Sequence, residues 1–116
     1  MPRAEKAQPK PPKAYNEFVR RFPKLAEAWD AMAEAGSQGP LDGRTCRLLK
    51  LAVAIGALRE GAVRAGVRKA LADGIALREI EQVVALAAPT IGLPAAVAVF
   101  TWMQDVAREH KRSGKR

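Results

Sequence analysis

The chain has 116 residues, 12.5 kDa in mass, with 48% hydrophobic, 28% charged and only 5% aromatic residues. That is one domain with enough apolar side chains for a single aliphatic core, and it leaves no room for a second module. One cysteine, Cys46, excludes an internal disulfide, a CxxC pair and a thiolate zinc cluster, and it points to a reducing cytoplasm. The lone His110 excludes a multi-histidine metal site, so neither a metal nor another cofactor is expected. The net charge of +8 sits almost wholly at the two ends. Residues 1–13 form a Pro-rich basic tail of net +3 and residues 108–116 a basic tail of net +4, which leaves +1 for the domain of residues 14–107. Such arms suit phosphate contacts, so a nucleic-acid-associated role through the tails is kept as an alternative. No signal peptide pattern opens the chain.

Apolar residues recur at helical rather than alternating spacing from Tyr15 to about Ala107, which predicts an all-α fold. Phe18, Phe22, Leu25, Trp29 and Met32 are spaced four, three, four and three apart. They lie along one face of a single helix or of two short helices broken at Pro23, and that face is expected to pack inward. Gly36 stops the segment, GSQGP makes a loop, and Asp42 is placed as the N-cap of the next helix. Between Leu48 and Leu58 only Lys50 is charged, so a central helix covered on all sides is expected, with Gly56 marking a close approach or a bend. The next segment sets Val63, Val67, Ala70 and Leu71 on one face and ends at Gly74 as a C′ residue. Leu77, Ile80, Val83, Val84 and Ala87 continue the pattern.

The uncharged stretch Gln82–Gln104 is 23 residues long, enough to span a bilayer. Pro89, Gly92 and Pro94 break it, however, and much of it is Ala, so two buried helices meeting at a turn are predicted, the last opened by Pro94. Five to six helices with short connections make a compact bundle.

The order of residues from Tyr15 to Val106 resembles the carboxymuconolactone decarboxylase and alkylhydroperoxidase D superfamily. The likeness lies in the loop Gly39-Pro40-Leu41-Asp42, the helix RxLLKLAVAIG, the block KALADGIALREIEQVVALA and the run TIGLPAAVAVFTW. It implies the alkylhydroperoxidase D-like fold and a homo-oligomer, a trimer or hexamer. Active peroxidase relatives carry C-x-x-C followed by a His, because a thiolate nucleophile needs a resolving thiol one turn away and a nearby base. The matching positions here are Arg59, Ala62 and Gly66. Decarboxylase relatives keep a His for proton transfer, which Gly66 cannot supply.

What remains polar on that helix is Glu60, Arg64 and Arg68, at i, i+4 and i+8. As a functional set, Glu60 serves as acid or base and Arg64, assisted by Arg68, orients a small anionic ligand or carboxylate substrate. As a bland set, they are a surface ion pair. Cys46 stands between Arg44 and Arg47 near a helix start, where cations favour a reactive thiolate, although a lone cysteine is more commonly a small hydrophobe. Glu79 and Glu81 point to different faces and read as a solvated helix start rather than a metal site. The expectation is a cytoplasmic, homo-oligomeric helical protein without thiol peroxidase chemistry, in a ligand-binding or assembly role. The enzymatic alternative is proton transfer on a small carboxylate through Glu60 and Arg64.

Overall fold

A computed structural model describes residues 13–114, and these form six helices and no strand. They are α1 (Lys13–Arg21), α2 (Pro23–Gly36), α3 (Gly43–Gly56), α4 (Glu60–Ala72), α5 (Leu77–Ile91) and α6 (Leu93–Gly114). The protein is all-α, as the spacing predicts. Residues 1–12 and 115–116, and with them nearly all of the N-terminal basic tail, lie outside the described residues.

Local chemistry explains the boundaries. Pro23 stands at the first position of α2 and separates it from α1, so the first apolar segment is two helices. Asp42 caps α3, its carboxylate accepting from the Thr45 N–H at 2.8 Å. That bond holds the Asp42 carboxyl below its ordinary range. The end of α4 is a Schellman turn: Gly74 at φ 88° donates to the Leu71 carbonyl, and Ile75 donates to Ala70. Ile75 then drops into the core. The end of α3 has the same pair of bonds, from Leu58 to Ile55 and from Arg59 to Ala54. There the left-handed residue is Leu58 at φ 54°, a conformation that side chains with a Cβ resist. Gly92, at φ 90°, makes the turn between α5 and α6, while Pro89 is accommodated inside α5. No helix among the described residues is long and apolar enough to cross a membrane.

Helices α3 to α6 form a four-helix body in which α4 and α5 each pack on α3 and on α6. Its core is aliphatic: Leu51, Ile55, Val63, Val67, Ile80, Val99, Met103 and Val106 are fully buried. Val63, Val67 and Ala70 of α4 and Ile80 and Val84 of α5 are buried on the faces that the spacing predicts.

Three expectations are corrected. The apolar face of α1 and α2 does not pack inward: α1 packs on α2, neither helix has a buried residue, and Trp29 and Met32 are 57% and 61% exposed. Helix α3 is not covered on all sides, since Leu51 and Ile55 are buried while Val53 is 71% exposed. The physical reason is shared: the body of this one chain has only enough helices to cover one face of α3, and the α1–α2 arm projects from it. Gly56 marks neither a close approach nor a bend, because it is the last residue of α3 and open space surrounds it. At the other end of the body, residues 108–114 of the basic C-terminal segment continue α6 as exposed helix.

Candidate functional site

Glu60 opens α4, where a carboxylate complements the positive helix end, and Arg64 stands one turn later. The structure brings the two together: the Arg64 Nε donates to Glu60 Oε2 at 2.9 Å. Sequence spacing does not show the third member, Asp105 of α6, which accepts from Arg64 Nη2 at 3.1 Å and from Arg108 Nη2 at 2.9 Å. Glu60 first, then Asp105, hold the Arg64 guanidinium above its ordinary value. Arg64 therefore bridges two carboxylates and pins α4 to α6. Arg68, the last member of the predicted triplet, is not joined to this set by a hydrogen bond or ion pair. The one signal that could have pointed to Asp105 is its i, i+3 spacing from Arg108.

The two bonds to Glu60 and Asp105 use the Nε and Nη2 of Arg64. The set lines neither the groove described below nor the cavity at the elbow of α2 and α3.

Three positions stand where the sequence resemblance sets the family's reactive groups: Arg59, Ala62 and Gly66. Arg59 and Ala62 are exposed. Gly66 is half-buried against α3, and a Cβ built on it would meet Leu51 Cδ1 at 3.1 Å and Leu51 Cα at 3.9 Å. Leu51 is a fully buried core residue, and a side chain at position 66 would require its Cδ1 to shift.

Cys46 is half-buried at the start of α3, and its thiol lies 3.6 Å from the Leu41 carbonyl as a weak donor. Its two cationic neighbours are engaged elsewhere, Arg44 with Glu79 and Arg47 with Asp73. Glu79 also accepts from the Ala76 N–H at 3.1 Å, closing the start of α5. Arg44, and then Ala76, keep its carboxyl below the ordinary range. Glu79 is thus a cap that ties α3 to α5. No group of three or more potential metal ligands exists among the described residues.

A groove of about 530 Å³ runs between α3 and α5. Leu48, Leu49 and Ala52 line one wall and Val83, Leu86 and Ala87 the other. Leu86, 69% exposed, stands at its rim. Reasoning from sequence missed this groove, because α3 read as a covered helix.

A family model described as carboxymuconolactone decarboxylase family matches residues 23–105, from the start of α2 to Asp105. The chain belongs to that family. The match takes in α2, α3, α4, α5 and the first part of α6, so both the exposed arm and the helical body contain family elements. No curated protein and no solved structure matches the chain.

Proposed function

We propose that the chain works as a homo-oligomer, a trimer or hexamer of the family type, without thiol peroxidase or histidine-dependent decarboxylase chemistry. Its role is to bind a small ligand or to serve as an assembly unit in the cytoplasm. The carrying observation is the paired exposure of two apolar faces on one chain. Phe18, Phe22, Leu25, Trp29 and Met32 line the arm, and the exposed Leu49 and Leu86 line the α3–α5 groove. Exposed apolar surface of this extent marks an interaction site. The arm's stripe and the groove have matching chemistry on the same polypeptide, as a head-to-tail contact between copies requires.

Two further features support the loss of family chemistry. The chain has a single Cys and a single His, the latter exposed on α6, and Leu51 fills the space beside Gly66. Light scattering coupled to size exclusion tests the assembly. A mass of three or six chains is expected, falling in Leu86→Asp; a wild-type mass of one chain contradicts it.

A second reading keeps Glu60 and Arg64 as a proton-transfer pair on a small carboxylate. The 2.9 Å contact between them, beside Asp105, favours it. Any lactone or keto-acid turnover discovered should then fall at least tenfold in Glu60→Gln, and turnover unchanged in Glu60→Gln and in Arg64→Met sinks it.

A further inference from the structure

Helix α6 runs on after its packing ends. Val106 is its last buried residue, and every residue from Arg108 to Gly114 is exposed. At the rise of an α-helix this stretch adds about 10 Å of free-standing helix. Arg108, Lys111 and Arg112 stand at i, i+3 and i+4, so they share one face of it. The stretch has one acid, Glu109, which lies beside that row, while His110 lies behind it. Asp105, one turn earlier, is shared between two guanidiniums: it accepts from Arg108 Nη2 at 2.9 Å and from Arg64 Nη2 at 3.1 Å. Among the described residues, Lys111 and Arg112 have no ion-pair partner. Lys115, outside the described residues, follows Arg108 by seven positions in the sequence.

Like charges one turn apart on a helix repel. The negative end of the helix offsets part of that cost, but burial offsets none of it, because the stretch is exposed throughout. The row therefore presents an edge of positive charge that its own chain does not neutralise. A regular line of anions complements such an edge, and the phosphates of a nucleic-acid backbone form one that Arg and Lys side chains contact. The shape of the element selects the kind of nucleic acid. An α-helix with its side chains is about 10–12 Å across and the major groove of B-form DNA is about 12 Å wide, whereas the major groove of A-form RNA is too narrow and deep for side chains to read. A helix end that stands clear of its body can enter the wider groove. We propose that the C-terminal end of α6 is a docking element for double-stranded DNA, seated in the major groove with Arg108, Lys111 and Arg112 on the flanking phosphates. The contacts are to the backbone, so binding is largely independent of base sequence. This surface is separate from the α3–α5 groove and does not depend on the assembly proposed above.

Fluorescence anisotropy of a labelled mixed-sequence DNA duplex of about 20 base pairs, titrated with the whole chain over a series of salt concentrations, tests it. Saturable binding is expected at low salt, with an affinity that falls steeply as salt rises. In the double variant Lys111→Gln, Arg112→Gln, binding at about 50 mM salt weakens about tenfold, and the slope of log affinity against log salt shrinks by about two, one for each phosphate contact removed. Lys111→Arg retains both affinity and slope. Both positions are exposed and lie beyond the core, and circular dichroism checks that the helix is kept in each variant. Absence of saturable binding at low salt overturns the proposal. Affinity and slope unchanged in the double variant overturn it as well, and move the contact to the basic residues 1–13. Polyglutamate bound as tightly as the duplex would assign the row to an acidic protein instead, and duplex RNA bound as tightly as DNA would contradict the groove that the helix is proposed to enter.

Discussion

The α1–α2 arm and the α3–α6 body are built from the same kind of sequence, apolar residues at spacings of three and four, yet they have opposite fates. In the body the stripe disappears into a shared core, with Ile80, Val99 and Met103 fully buried. In the arm an equally regular stripe, richer in aromatics, stays at the surface, with Phe18 and Phe22 touching each other at a ring separation of 5.5 Å. Periodicity shows that a helix has a face to bury; the number of neighbouring helices decides whether its own chain can bury it.

The sharpest contrast comes from truncating one residue in each region. Met103→Ala in the body is expected to cost about 2–5 kcal/mol in denaturant unfolding, as a buried cavity does. Trp29→Ala is expected to cost the isolated chain under about 1 kcal/mol, since little is buried around it there, while lowering the subunit number. A Trp29 variant as unstable as the Met103 variant when measured at high dilution would erase the distinction between the two regions.

Next in size is Gly66→His. It restores the residue type that decarboxylase relatives carry, but forces it against Leu51, so a loss of about 1–3 kcal/mol is expected from overpacking, with no gain of turnover. Stability held at the wild-type level would mean that the space beside Gly66 opens more readily than the 3.1 Å approach implies.

Leu58→Gly sharpens the body from the other side. Its φ of 54° is costly for leucine and free for glycine, so a rise of about 1 kcal/mol in unfolding free energy is expected. A fall would mean that the Leu58 side chain contributes more by packing than its backbone costs.

The smallest effect is electrostatic. Glu79 has an ordinary value of 4.5 and is held lower in the fold, first by Arg44 and then by the Ala76 N–H. Below pH 4.5 the unfolded chain therefore takes up a proton that the folded chain refuses. The stability that Glu79 contributes is fully present above that pH and is lost as the pH falls through its folded value. Arg44→Met should flatten the fall in melting temperature just below pH 4.5, leaving the part due to Asp42, which Thr45 sustains. An unchanged slope would show that the link from α3 to α5 is not maintained in solution.

Much of the body was legible in the sequence because its signals are local. Asp42 as a cap, Pro23 as a helix start, Gly74 as a C′ residue and Gly92 as a turn each depend on a few neighbouring atoms, and each stands where local chemistry puts it. The Glu60–Arg64 pair was legible for the same reason, through its i, i+4 spacing. What was not legible required knowing which helix lies beside which. Asp105 joins Arg64 from 41 positions away, and Arg44 meets Glu79 across 35. In the runs around them only the i, i+3 spacing of Asp105 from Arg108 hints at either partner. The exposure of the arm was hidden in the same way, since an apolar stripe looks identical whether its partner is the same chain or another.

Quenching of Trp29 fluorescence by acrylamide, in a Trp102→Phe variant so that Trp29 is the one emitter, tests most directly whether other copies cover the arm. The expected result is a shielded Trp29 at micromolar protein that becomes freely quenched on dilution or in Leu86→Asp. A Trp29 freely quenched at every concentration would contradict it, and the stripe from Phe18 to Met32 would then face water in the working protein.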